Sequence, residues 1–169
     1  GNDLIQNGTS EIKSDLIDID TGKDLTQNDS GNISAEEVIV DTGRHFIQNE
    51  SSKIASAEID INTEKSLTQN DSGNILGNQL EINTGESLMQ NVSGMISGNQ
   101  VSIATGADMI QKDSGKISGD QITINNGGDM EQNQSSSIVA DDNLDIDTVG
   151  NIVQNDEGKI SAVNKLSLD

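Results

Sequence analysis

Asp24–Gly43 reads DLTQNDSGNISAEEVIVDTG, and this pattern returns eight times along the 169-residue chain at a spacing of 21 residues. Within it, LTQNDSGNI stands at 25–33 and again, letter for letter, at 67–75. A repeat that tiles a whole chain describes a stack of like units, each supported by its neighbours. Function in such a stack is spread along a surface rather than gathered in one pocket.

The copies align into fixed columns. The first holds Leu4, Leu25, Phe46, Leu67, Leu88, Met109, Met130 and Ile152. Two residues on runs an unbroken glutamine column: Gln6, Gln27, Gln48, Gln69, Gln90, Gln111, Gln132 and Gln154. An isoleucine column follows, with Ile12, Ile33, Ile54, Ile75, Ile96, Ile117, Ile138 and Ile160. Two residues beyond it every copy has Ser, Ala or Gly, from Ser14 and Ala35 through Gly77, Gly98 and Gly119 to Ala162. Each copy then closes on an apolar alternation such as Val38/Val40 or Ile59/Ile61.

The local period is two, as in a strand, and the segments are short, β-branched and separated by Asn, Asp, Gly and Ser. Three short strands per 21 residues describe one triangular coil. The fold expected is therefore all-β: a parallel β-helix, or solenoid, of about eight coils forming a rod of roughly 38 Å. Right-handed winding follows from the general chirality of parallel crossovers. Residues 1–169 make a single solenoid segment. Because solenoids need covered ends and neither end carries a capping element, the segment is expected to be a fragment of a longer array.

Alternation that turns Leu25 inward turns Gln27 inward too, where an unpaired amide is costly. A ladder of identical amides solves this, each donating to one neighbour and accepting from the other. The small column suits a corner where a larger side chain would strike the opposite wall. Gly31, Gly73, Gly94, Gly115 and Gly158 read as turn residues needing positive φ. Between Ile138 and Leu144, and between Ile160 and Leu166, the gap is six residues instead of five. An extra residue inside a strand would invert its faces, so it belongs in corner bulges near Asp141–Asn143 and Val163–Lys165.

Composition narrows function. There is no Cys, Pro, Trp or Tyr and one Phe, which suits a narrow solenoid interior better than an enzyme core. The net charge of −20 argues against nucleic acid and anionic membrane, and describes a self-repelling, solvated surface. No stretch approaches a membrane span, so no membrane insertion is expected.

Four sets of residues invite a chemical reading. Asp18, Asp60, Glu81 and Asp145 share an outward column, as polysaccharide-active β-helix enzymes require, but Ile39, Ser102 and Thr123 interrupt it and no base accompanies it. No catalytic residue is assigned and the chain is read as not an enzyme. Calcium could bridge acidic coils, yet the nine-residue calcium-roll spacing is absent; His45 stands alone in its column; no metal ligand and no cofactor is assigned. Thr21, Thr42, Thr63, Thr84, Thr105 and Thr148 form one rank, read as turn-stabilising hydroxyls in preference to an ice-binding face. Asn7, Asn28, Asn49, Asn70, Asn91 and Asn133 form a column of N-x-S/T sequons, with Asn32 beside it. Repetition of one turn sequence accounts for it, and a glycosylated stripe is the alternative.

A further outward column, Ile5, Thr26, Ile47, Thr68, Met89, Ile110, Glu131 and Val153, is mostly apolar. Ile5, Ile47, Met89, Ile110 and Val153 are the candidates for a contact stripe.

The segments DLTQNDSGNISAEEVIVDTG, TGESLMQNVSGMISGNQVSIA and TGADMIQKDSGKISGDQITIN resemble the filamentous haemagglutinin family, the large exoproteins of bacterial two-partner secretion. The likeness lies in the T-G-x-(D/S)-hydrophobic-x-Q opening, the G-x-I-small turn and the closing alternation, and it covers essentially the whole chain. It implies a right-handed shaft, secreted or held at the bacterial cell surface, acting in adhesion or in presenting a contact-dependent growth-inhibition toxin. It also implies an outer-membrane secretion partner and a host or target-cell receptor or glycan. Glycosylation of asparagine sequons in the family's high-molecular-weight adhesins raises the interest of the Asn7–Asn133 column. The segment itself is expected to be monomeric, and its lack of cysteine suits passage through the oxidising periplasm. The runner-up reading makes the segment itself a receptor- or glycan-binding patch.

Overall fold

The computed structural model describes residues 1–169 and is all β, with no helix. Each coil runs through a short strand, a turn, a second short strand, a corner and a longer strand. In the second coil these are Leu25–Gln27, Asn32–Ser34 and Glu37–Thr42. Every strand pairs in parallel with its equivalents one coil away, so like residues stack on like: Leu67 on Leu88, Gln69 on Gln90, Ile75 on Ile96, Thr84 on Thr105. The first strands form one eight-stranded sheet from Leu4–Gln6 to Ile152–Gln154. The second and third strands form a larger sheet that wraps the rest of the coil. The chain is a β-solenoid of about eight turns with a period near 21 residues.

Alternation sets the burial. Along Leu25–Gln27 the pattern is buried, half-buried, buried, and along Glu37–Thr42 every second side chain is buried. The core is one continuous cluster of 27 buried apolar residues, with Phe46 its bulkiest member. Burying each aliphatic side chain contributes roughly 1.5–3 kcal/mol, so the ladders dominate the favourable side of folding. At the ends the same ladders open. Leu4, Ile12, Ile152 and Ile160 are partly buried, while Leu166 and Leu168 in the last coil are 45% and 47% exposed.

The six-residue gaps fall where corner bulges are expected. Gly119 pairs with Ala140, and the next pair is Gln121 with Asn143, so the extra residue sits within Asp141–Asn143. The last coil repeats it in step, with Ala140 on Ala162 and Asn143 on Lys165. The strand faces are preserved on both sides.

Two details of the corners differ from the sequence reading. Positive φ belongs to the residue after the asparagine: Gly8 at 65°, Asp29 at 57°, Val92 at 64° and their equivalents. The later glycines have another task, because a Cβ on Gly73 or Gly94 would come within 2.9 Å of Cβ of Gln48 or Gln69 in the coil beneath. They make room for the glutamine ladder. The small column likewise faces the coil below it and not the opposite wall: a Cβ on Gly77 or Gly98 would lie 2.8 Å from the carbonyl oxygen of Ser56 or Gly77. In the fifth to seventh coils the second and third strands run together through this corner, as Met95–Thr105, Lys116–Asn126 and Ser137–Thr148, and in the last coil they separate again into Lys159–Ala162 and Lys165–Leu168.

Candidate functional site

The glutamine column is a closed hydrogen-bond ladder. Gln27 Nε2 donates to Gln6 Oε1 at 2.9 Å, Gln48 to Gln27 at 3.0 Å, and the same link continues through Gln69, Gln90, Gln111 and Gln132 to Gln154. The second N–H of the amide reaches backbone oxygens, as when Gln69 Nε2 donates to Gly73 O at 3.0 Å. Burial strengthens such a chain of amides and penalises any break in it.

The sequon asparagines form a second ladder, at the first turn. Asn28 Nδ2 donates to Asn7 Oδ1 at 2.7 Å, Asn49 to Asn28 at 2.8 Å, Asn70 to Asn49 at 2.9 Å and Asn91 to Asn70 at 3.0 Å. Lys112 interrupts it, and Asn133 Nδ2 turns to Glu131 Oε1. Asn32 lies outside this ladder, its Nδ2 reaching Glu11 Oε1 at 3.5 Å. The nitrogen that would carry a sugar is therefore the nitrogen that donates within the stack.

A third set of contacts was not foreseen. In the column that holds Asp3, Asp24, Ser66, Asp108 and Asp129, side-chain oxygens accept backbone N–H groups from the next coil. Asp24 N donates to Asp3 Oδ1 at 3.2 Å, His45 N to Asp24 Oδ1 at 3.1 Å and Asp129 N to Asp108 Oδ1 at 2.9 Å. His45 is thus a drifted member of a capping column, and its imidazole is not needed there. The recurrence of Asp and Ser in this column was the available signal. Arg44 completes the corner, its Nη2 lying 2.6 Å from Asp24 Oδ2 and 3.8 Å from Asp3 Oδ1.

The threonine rank is buried from Thr21 to Thr105 and half-buried at Thr148, and most of its hydroxyls bond locally, Thr42 Oγ1 being without a partner. Thr21, Thr63 and Thr84 hydroxyls donate to the carbonyl oxygens of Lys23, Lys65 and Glu86, two residues on. Asn126 replaces one threonine and bridges Thr105 to Thr148. So placed, the rank presents no flat hydroxyl face to solvent.

Two outward faces remain. On the eight-stranded sheet, Ile5, Thr26, Ile47, Thr68, Met89, Ile110, Glu131 and Val153 stack in one register. Ile5 and Val153 are 57% and 41% exposed, and Ile47, Met89 and Ile110 are half-buried. The column is one side chain wide, and Thr26, Thr68 and Glu131 interrupt its apolar run, so Met89 and Ile110 alone are direct apolar neighbours.

On the third-strand face a shallow groove of about 570 Å³ crosses several coils. One wall is Glu37, Glu58, Gln79, Gln100 and Gln121; the other is Ile39, Asp60, Glu81, Ser102 and Thr123. Asp18 is separated from Asp60 by Ile39, and Asp145 from Glu81 by Ser102 and Thr123, so only Asp60 and Glu81 of that acidic column are direct neighbours. Partial burial first, then Glu81 and Asp41, raises the Asp60 carboxyl above its ordinary value, while Asn62 Nδ2, donating to Asp60 Oδ1 at 3.1 Å, opposes that shift.

No family model, curated protein or solved structure matches this chain. What defines the protein is its class: an acidic β-solenoid whose inward polar groups and corner amides are largely engaged in ladders along the stack.

Proposed function

We propose that this chain is a shaft segment of a large, surface-exposed or secreted bacterial exoprotein of the filamentous haemagglutinin type, non-enzymatic in itself. In this reading it holds a distal adhesive or toxic domain away from the cell, and an outer-membrane partner exports the parent chain. The observation that carries it is the glutamine ladder, continuous from Gln6 to Gln154. Such a ladder fixes each coil's register on the next and makes the stack stiff along its axis, which is what a spacer needs. The −20 charge keeps neighbouring rods apart.

A second reading rests on Ile5, Ile47, Met89, Ile110 and Val153, five apolar side chains that share one outward register of the eight-stranded sheet. It makes the segment a receptor or glycan contact. Replacing residues 1–169 in the parent protein by an unrelated solenoid of equal coil number separates the two. Retained adhesion or toxin delivery supports the shaft; loss with surface display intact supports the patch.

Glycosylation of the asparagine column bears on either reading. Asn28, Asn49, Asn70 and Asn91 each commit one Nδ2 hydrogen to the ladder, and the second hydrogen is the one a transferase would replace. Intact mass of the exported protein, with hexose added or not, decides whether the column is modified.

A further inference from the structure

We infer that the groove on the third-strand face is a docking surface for an extended polypeptide segment bearing lysine or arginine. The inference does not depend on the shaft reading, since a spacer and a patch both leave this face to solvent.

The groove's shape comes first. It runs across the strands, along the stack, for five coils from Glu37 to Gln121, so it accepts an elongated chain better than a compact ligand. Its chemistry changes along that length. The Glu37 end carries Glu58, Asp60 and Glu81, while the far end carries Gln100, Gln121, Ser102 and Thr123.

Electrostatics fixes the sign of the occupant. Carboxylates stack directly on one another here, Glu37 against Glu58 and Asp60 against Glu81, an arrangement unfavourable in a parallel sheet without a counter-charge. Where Asp3 and Asp24 stack at the corner that follows the third strand, the chain supplies Arg44. The other ion pair, Lys65 with Glu86, lies at that same corner. The groove receives no cation from its own chain, and the Asn62 and Asn83 amides beside it satisfy Asp60 and Glu81 only as neutral donors.

The remaining lining separates a polypeptide from a bare polycation. Ile39, half-buried in line with the acidic wall, is the apolar side chain that the groove offers to the methylene stems of lysine or arginine, while Val38, Ile59, Leu80 and Val101 beneath it belong to the core. Gln79, Gln100 and Gln121 are exposed, with one weak contact between them, Gln79 Nε2 to Gln100 Oε1 at 3.5 Å. Each such amide offers a donor and an acceptor to a peptide backbone.

The test uses the whole chain and a labelled short peptide of alternating lysine and serine, read by fluorescence anisotropy at moderate salt. A matching glutamate–serine peptide is the control ligand. Removing the groove charges in the triple variant Glu58→Gln, Asp60→Asn, Glu81→Gln weakens the lysine peptide about tenfold, three modest charge contacts combined. The triple variant Asp29→Asn, Asp71→Asn, Asp113→Asn removes as much charge at the first turn and weakens it by less than about threefold, because screening confines the effect to nearby charges. Ile39→Ser, which changes no charge, also weakens binding. Far-UV circular dichroism of each variant separates lost binding from lost fold. Equal weakening by the two triple variants assigns binding to the diffuse field of an acidic rod and overturns the inference, as does failure of the wild-type chain to prefer the lysine peptide.

Discussion

Gln69 Nε2 donates to Gln48 Oε1 at 2.9 Å across one coil, and neither side chain has any exposure to solvent. Above it, Gln90 Nε2 donates to Gln69 Oε1 at 2.8 Å. Gln69→Leu keeps the volume and removes both links, leaving Gln48 Oε1 without its donor and Gln90 Nε2 with only its backbone acceptors. Each buried polar atom deprived of a partner costs about 1–3 kcal/mol, so the variant loses roughly 3 kcal/mol. Gln154→Leu, in the exposed last coil, breaks one link instead of two and deprives Gln132 Oε1 alone of its donor, so it loses about half as much, roughly 1.5 kcal/mol. Urea unfolding of the two variants checks the ordering; equal losses would mean the ladder is ornamental.

Most of the fold is legible in the sequence, for a physical reason. Parallel stacking puts identical positions in contact, so a requirement at one position is written once per coil. Gln27, Ile33 and Val38 each reveal their direction because their equivalents repeat it. The corners were less readable, since a glycine is compatible with positive φ and with a close approach alike. Gly73 serves the second purpose, and Asp71, two residues earlier, carries the left-handed backbone. The backbone-capping role of Asp3 and Asp24 was hidden for a similar reason, because an exposed Asp column looks the same whether it faces water or the next coil's N–H. The groove was invisible because it lies between two outward columns and belongs to neither alone.

Asp60 gives a pH dependence with a definite sign. Partial burial, Glu81 and Asp41 raise its folded-state carboxyl above 3.8, against the weaker pull of Asn62. The folded chain then binds this proton more tightly than the unfolded one. The stability it contributes is fully present below pH 3.8 and is lost as pH rises through the raised value. Asp60→Asn, which keeps an acceptor for Asn62, is therefore expected to stabilise the protein at neutral pH by about 0.5 kcal/mol, the size of one like-charge contact between strands. The gain disappears below pH 3.8. Thermal melts at pH 7 and in that acid range check both halves, and a gain that persists in acid would show that charge is not the cause.

Val92 occupies the left-handed position of its turn at φ 64°, where the other coils place Gly, Asp, Glu or Gln. A β-branched side chain is a poor occupant of that region, costing of the order of 1 kcal/mol or more. Val92→Gly removes the crowding, though the freer unfolded chain returns part of the gain. Val92→Asp matches Asp71 one coil below and keeps a Cβ, so it is expected to stabilise by about 1 kcal/mol. Asp71→Val, the reverse change, is expected to destabilise by a similar amount. Urea midpoints of Val92→Asp and Asp71→Val should move in opposite directions, and movement in the same direction rejects backbone strain as the explanation.

Ser52 stands in the column that Gly31, Gly73, Gly94 and Gly115 occupy in other coils, and it is fully buried with no hydrogen-bond partner for its Oγ. Ser136 repeats the situation four coils later. The hydroxyl loses water on folding and receives no protein contact in return, a deficit of about 1 kcal/mol or more. Ser52→Ala keeps the Cβ already accommodated there and removes the unpaired oxygen, so it is expected to raise stability by about 1 kcal/mol, and Ser136→Ala likewise. Because the two sites lie in separate coils with no shared partner, the double variant should gain nearly the sum of the two. Calorimetric melts of the two single variants and the double variant measure this. A loss in either single variant would mean that the hydroxyl holds a water within the turn, and the Gln27 and Gln111 amides of the preceding coils are where hydrogen exchange would then register the change.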